Sequence, residues 1–216
     1  IETCDVDRDG DVDVLAIWNG GSFTSYSLGL FINDGSGNLA DESSMRLPAL
    51  EQLIRDLACF DLDGDGAPEI LVARWWVPDV LFLNDGTGRF LEGPPPPPGT
   101  RTESDFVSVG DLDGDGWTDA IIGAGRSTRV LLNRMGTLLL ATGALPGAIG
   151  GSLGDVDGDG DLDLGLDLPA GYDTPFAAAL YSNDGTGTVW SDVSTLLAVP
   201  AWGWYADVDA DGDTDW

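Results

Sequence analysis

The chain contains no histidine and no lysine; its nine basic residues are all arginine, set against 38 Asp and Glu for a formal net charge of -29. Without His, neither a Ser-His-Asp nor a Cys-His pair can be assembled, and general-base work falls to Asp, Glu, Tyr or Arg. So acidic a chain repels phosphate backbones and anionic lipid, which excludes nucleic acid and charged membrane surfaces as expected partners. No run of about 18 apolar residues occurs, so no membrane-spanning helix is expected. Cysteine is scarce: Cys4 and Cys59 only. Each precedes an Asp-rich segment, but one residue out of phase with the other. Within a strand that offset turns the two side chains to opposite faces, so two small buried thiols are expected in preference to a mutual disulfide. There is no Asn-x-Ser/Thr sequon, so N-linked glycans are not expected. The chain opens on Ile1 without an initiator Met or a signal peptide, the expectation for a processed protein or an excerpt of a longer one.

What is present is clustered. Hydrophobic residues make up 43% of 216, enough for a real core, and the acidic residues fall into a motif that recurs five times. The copies are Asp5-Val-Asp7-Arg-Asp9-Gly10-Asp11-Val-Asp13, Asp61-Leu-Asp63-Gly-Asp65-Gly66-Ala67-Pro-Glu69, Asp111-Leu-Asp113-Gly-Asp115-Gly116-Trp117-Thr-Asp119, Asp155-Val-Asp157-Gly-Asp159-Gly160-Asp161-Leu-Asp163 and Asp207-Val-Asp209-Ala-Asp211-Gly212-Asp213-Thr-Asp215. Their first residues are spaced 56, 50, 44 and 52 positions apart. Between them lies a second motif: Asn33-Asp34-Gly35-Ser-Gly37, Asn84-Asp85-Gly86-Thr-Gly88 and Asn183-Asp184-Gly185-Thr-Gly187, with a decayed copy at Asn133-Arg134-Met135-Gly136. After an apolar run these residues read as hairpin turns, because Asn, Asp and Gly tolerate positive φ.

Around these anchors each unit shows four short extended runs. In the second unit they are Ile54–Phe60, 70–74, Val80–Asn84 and 89–91; in the third, 106–109, 120–123, 129–133 and 138–141. Four antiparallel strands per repeat with Gly-rich corners is the dimension of a propeller blade, so the expected fold is all-β. Four repeats and the start of a fifth are expected, as units near 1–53, 54–104, 105–148, 149–200 and a partial 201–216. At most a turn or two of helix is expected, over 49–57. The proline run at 94–98 cannot join a ladder and reads as a stiff, exposed connector.

The Asp spacing predicts a metal loop. Carboxylates at positions 1, 3 and 5 of a tightly coiled loop converge on one ion. Gly at position 6 permits the sharp turn, position 7 offers its carbonyl, and a carboxylate at position 9 closes the shell. Hard oxygen donors without His or Cys select calcium. The bland alternative is a set of solvated acidic turns. Two carboxylates about 5 Å apart repel by roughly 3 kcal/mol at an effective dielectric near 20. Repeated within each loop, that repulsion rivals a domain stability of about 5–15 kcal/mol, so a cation is expected in about five sites. The ligands expected are Asp5, Asp7, Asp9, Asp11, Asp13; Asp61, Asp63, Asp65, Ala67, Glu69; Asp111, Asp113, Asp115, Trp117, Asp119; Asp155, Asp157, Asp159, Asp161, Asp163; and Asp207, Asp209, Asp211, Asp213, Asp215. The residue at position 7 is counted for its carbonyl.

Through these loops and turns the chain resembles the FG-GAP/VCBS repeat family, which includes the calcium-binding blades of integrin α-subunit propellers. The resemblance covers nearly the whole chain. It implies calcium between the first strands of each blade and a secreted or cell-surface protein working by adhesion or ligand display. Such propellers commonly have seven blades, so a ring needs further material, or else similar chains stack end to end into a filament.

The function expected is therefore a non-catalytic, extracellular, calcium-bound scaffold. Its expected partners are calcium, other protein subunits, further copies of itself or extracellular glycans. A carbohydrate-binding or polysaccharide-cleaving propeller is the alternative, with Trp75, Trp76, Trp202, Trp204 and Tyr205 as sugar-stacking rings; their blander role, filling gaps between blades, is the one expected. Protein docking by analogy with integrins is a third reading, at the level of fold alone.

Overall fold

The computed structural model describes residues 1–19, 26–50, 53–97, 103–141, 145–169 and 177–194. These form four antiparallel four-stranded sheets, each with its strands in sequence order, together with one helical turn. Two compact units each hold two sheets, one over Ile1–Ser104 with Met135–Thr137, the other over Asp105–Arg134 and Leu138–Trp216.

In the first unit the blades are β1 (Glu2–Cys4), β2 (Asp13–Asn19), β3 (Tyr26–Asn33) and β4 (Leu39–Asp41), then β5 (Ile54–Phe60), β6 (Glu69–Arg74), β7 (Val80–Asn84) and β8 (Phe90–Glu92). Strand β6 is buried along its whole length, with a continuous apolar centre rather than an alternating pattern, as a strand covered on both faces requires. Leu15 and Leu30 of the first blade pack with Ile70, Val72 and Phe82 of the second in one core. The edge strands β4 and β8 are short and mostly exposed, which limits unwanted pairing.

In the second unit the blades are β9 (Phe106–Gly110), β10 (Asp119–Ala124), β11 (Ser127–Asn133) and β12 (Leu138–Leu140), then β13 (Gly150–Gly154), β14 (Asp163–Leu168), β15 (Ala177–Asn183) and β16 (Trp190–Asp192). Strand β10 is again buried throughout. The core joins Phe106, Ile121 and Val130 to Leu164 and Leu166. Gly123 makes room for the ring of Phe106: a Cβ built there would lie 1.7 Å from it.

Three expectations are corrected. Cys4 and Cys59 form a disulfide, with Cα atoms 6.5 Å apart. They lie on equivalent strands of two successive blades, β1 and β5. Sheets stacked in the same sense turn opposite faces toward each other, so a bond between equivalent strands needs the one-residue offset that argues against pairing within a strand. The helical turn, α1, is at Ser43–Arg46, and the described residues of 49–57 hold none. It follows an Asp41 carboxylate that accepts from both the Ser43 backbone N–H and its hydroxyl. Residues 54–57 are instead strand, because Ile54 and Leu57 are buried in the core. In the proline run, 94–97 pair with no strand and Pro94 and Pro95 are exposed, but Pro96 is buried. Pro98 lies outside the described residues.

Candidate metal centre

Each of the four described Asp-rich loops joins the first and second strands of its blade, and each Asn turn joins the third and fourth. Since the strands alternate in direction, both connections leave the sheet at the same end. The loop is pinned from below by position 2, since Val6, Leu62 and Leu112 are at most 2% exposed. Asp-apolar-Asp therefore points one side chain into the core and two carboxylates toward the loop's hollow.

The same hydrogen bonds recur around that hollow. The position-1 carboxylate accepts from backbone N–H groups across the loop: Asp5 from Asp9 and Gly10, Asp61 from Gly64 and Gly66, Asp111 from Asp115 and Gly116, and Asp155 from Gly158 and Gly160. The position-5 carboxylate accepts from the N–H at position 7, as Asp9 does from Asp11 and Asp65 from Ala67. Gly10, Gly66, Gly116 and Gly160 have φ between 85° and 95°, as position 6 requires. Position 4 is left-handed too, at Gly64, Gly114 and Gly158, and at Arg8 with φ 60°. Arg8 departs from Gly there and reaches the second blade, donating to the carbonyls of Asp65 and Gly86.

Position 9 is the buried centre of each site. Asp13, Glu69, Asp119 and Asp163 are at most 2% exposed. In each of the four described copies one carboxylate oxygen accepts from the backbone N–H at position 2 and the other from the backbone N–H of the turn Asn. The pairs are Val6 and Asn33 on Asp13, Leu62 and Asn84 on Glu69, Leu112 and Asn133 on Asp119, and Val156 and Asn183 on Asp163. Burial outweighs these bonds, raising Asp163 and pushing Glu69 up to about 7 and Asp119 up to about 6. A positive charge among these oxygens would offset that penalty.

Three loops bring positions 1, 3 and 9 together: Asp5, Asp7 and Asp13; Asp61, Asp63 and Glu69; Asp155, Asp157 and Asp163, each set with oxygens within 4.8 Å of one another. The position-5 residues Asp9, Asp65 and Asp159 stand outside those groupings. In the third loop the grouping is Asp111, Asp113 and Asp115, with position 5 in place of Asp119. The side chains of Asp11 and Asp161 lean toward the turn glycines Gly35 and Gly185. The fifth loop, 207–215, lies outside the described residues, as do Trp202, Trp204 and Tyr205.

The donor set fits a hard divalent cation. Every available group is a carboxylate or carbonyl oxygen, the charges converge, and one oxygen each of Asp7 and Asp113 is buried without a hydrogen-bond partner. Such an oxygen is expensive unless a cation completes it. The cations in reach are arginines: Arg46 contacts Asp7 at 3.2 Å, and Arg134 contacts both Asp113 and Asp115.

The Asn turns do more than reverse the chain. Asn84 donates from Nδ2 to Pro68 O in its own loop and to Val6 O in the loop of the preceding blade, and Asn183 likewise to Leu162 O and Leu112 O. The sequence carries one signal of this: the third copy loses Asp and the first Gly but keeps Asn133, whose Nδ2 donates to Thr118 O.

Away from the loops, Trp75 and Trp76 stack at 4.4 Å between ring centroids, and the Arg55 guanidinium lies 4.7 Å from the centre of the Trp75 ring. Trp76 is 58% exposed, so it is not the inter-blade filler expected of it.

A family model described as an FG-GAP-like repeat matches residues 5–72, 61–122 and 111–166. Each match opens on the first Asp of one loop and runs through the next. No curated protein matches the sequence. Among solved structures, the chain is similar to a lectin from Agrocybe aegerita, described for specific recognition of non-reducing terminal N-acetylglucosamine. The identity is 17% and the TM-score 0.60, over 99% of this chain and 59% of that one, so the likeness is one of fold. This chain therefore spans less than two thirds of that relative's length.

Proposed function

The chain belongs to the family of FG-GAP-like repeats, and on that premise we propose that it is a calcium-stabilised, non-catalytic binding scaffold working outside the cell. The observation that carries this reading is the buried position-9 carboxylate, repeated in four described loops, with two further carboxylates converging beside it in three of them. Calcium is the ion of choice because the donors are hard, numerous and set in a flexible loop, whereas magnesium demands a strict octahedron and keeps its waters. The Cys4–Cys59 disulfide supports an oxidising, extracellular setting, where millimolar calcium would fill even weak loops. With no His or Lys, and with the loop carboxylates hydrogen-bonded into place, adhesion or ligand display suits the surface better than catalysis. End-to-end assembly into a filament rests on the repeat alone.

Thermal melting with and without a chelator tests the reading. Calcium should raise the midpoint by ten degrees or more at about a hundredfold excess over Kd per site, since each filled site adds about 2.7 kcal/mol. A midpoint indifferent to calcium would overturn it.

A second reading, glycan binding, is favoured by the outer face of Trp76, an exposed indole backed by its stacked neighbour. Retention on immobilised glycans, lost in Trp76→Ala, would support it; a glycan array without signal would remove it.

A further inference from the structure

The third loop carries its own counter-ion. Its turn is the decayed one, one or two residues shorter than the others between Asn and the next strand, with Arg134 where the other copies have Asp34, Asp85 and Asp184. In those copies the Asp folds back on its own turn: Asp34 accepts from the Ser36 and Asn38 N–H groups, Asp85 from Thr87, and Asp184 from Thr186. Arg134 reaches the other way. It donates from Nη1 to Asp115 at 2.7 Å and from Nη2 to Asp113 at 2.5 Å, and Nη1 also reaches the Asn133 carbonyl. The two carboxylates it takes are positions 3 and 5, two of the three whose oxygens converge in this loop.

A charge reversal at one turn position has thus placed a forked cation on metal-ligand oxygens. A guanidinium matches two carboxylate oxygens well but fills no coordination shell, and one oxygen of Asp113 stays buried and unpartnered beneath it. A divalent ion entering this loop would have to displace the fork from two of its ligands, or sit beside a fixed positive charge. Among the described residues no arginine does the same in the fourth loop, and in the first loop Arg46 takes one position, Asp7.

We propose that Arg134 competes with the divalent ion for the third loop, making it the weakest of the four described sites and leaving it neutralised when calcium is low. This rests on the calcium reading above and refines it: the array would hold most of its ions constitutively and one conditionally.

Trp117, at position 7 of the same loop, supplies a local probe. The metal-stripped full chain is titrated with terbium, exciting tryptophan and reading sensitised emission. The same titration of Trp117→Phe is subtracted so that the difference reports the third loop. In Arg134→Gln the midpoint of that difference should tighten about tenfold, the effect of removing one partly screened charge near a divalent ion. Arg134→Lys, which keeps the charge but not the fork, should stay near the parent. Equal midpoints for parent and Arg134→Gln would overturn the proposal while leaving the calcium reading standing, provided total binding is seen by equilibrium dialysis. Dialysis showing no ion bound to any form would overturn both.

Discussion

Replacing Asn183 with alanine removes one side chain and tests how blades are joined. Its Nδ2 donates to Leu112 O at 2.7 Å and Leu162 O at 3.2 Å, and its Oδ1 accepts from the Gly187 N–H at 3.0 Å. Asn33 is the matched control. It makes the bonds within its own blade, to Val12 O and from the Gly35 and Gly37 N–H groups, without one to a preceding loop. A net hydrogen bond contributes about 1 kcal/mol, and a buried partner left unpaired costs about 1–3 kcal/mol. Leu112 is 1% exposed, so its carbonyl is not expected to regain water when the amide is gone, whereas Val12 is 54% exposed and should rehydrate. Asn33→Ala should therefore cost about 1 kcal/mol and Asn183→Ala about 3 kcal/mol. The backbone N–H of residue 183 still reaches Asp163 in the variant, so the Asp loop's own crosspiece is retained. Urea unfolding in excess calcium reads the difference as a shift in midpoint at unchanged slope. Equal shifts for the two variants would refute the idea that this amide ties one blade to the loop of the last.

Two further outcomes follow from the same geometry. In metal-stripped protein, Glu69 and Asp119 ionise near 7 and 6 because they are buried, while the unfolded chain releases those protons near 4.5 and 3.8. The folded state binds more protons in that window, so stability is fully present below about pH 4 and is lost as pH rises through 6 to 7. Melting midpoints that rise over that range without metal would contradict it; with calcium present the trend should flatten or reverse. Removing the Cys4–Cys59 bond as a double Ser variant should cost about 4 kcal/mol by chain entropy for a loop of 55 residues. A cost under about 1 kcal/mol would show that the first two blades need no clasp.

Much of this was legible because the repeat states it several times. Strands at Ile54–Phe60 and Val80–Asn84 have the bounds that their apolar runs suggest, and the Asp spacing places positions 1, 3 and 9 around one hollow in three loops. What the pattern hid is what passes from one blade to the next. The cysteine offset misleads when read along a single strand, since the bonded faces belong to two stacked sheets. The amide of Asn183 is indistinguishable from a turn residue until its partner Leu112 O, 71 residues earlier, is beside it. Arg134 looks like mere decay of a motif, yet it lands on two carboxylates of its own blade's loop, Asp113 and Asp115. Trp76 was expected among the apolar fillers, but its backbone at φ 61° turns it out to solvent.

The central claim is that ions hold these loops, and a crystal grown in calcium would test it most directly. The account predicts anomalous density about 2.3–2.6 Å from the oxygens of Asp5, Asp7 and Asp13, of Asp61, Asp63 and Glu69, and of Asp155, Asp157 and Asp163. Water alone in those three hollows, with the carboxylates turned out to solvent, would contradict it.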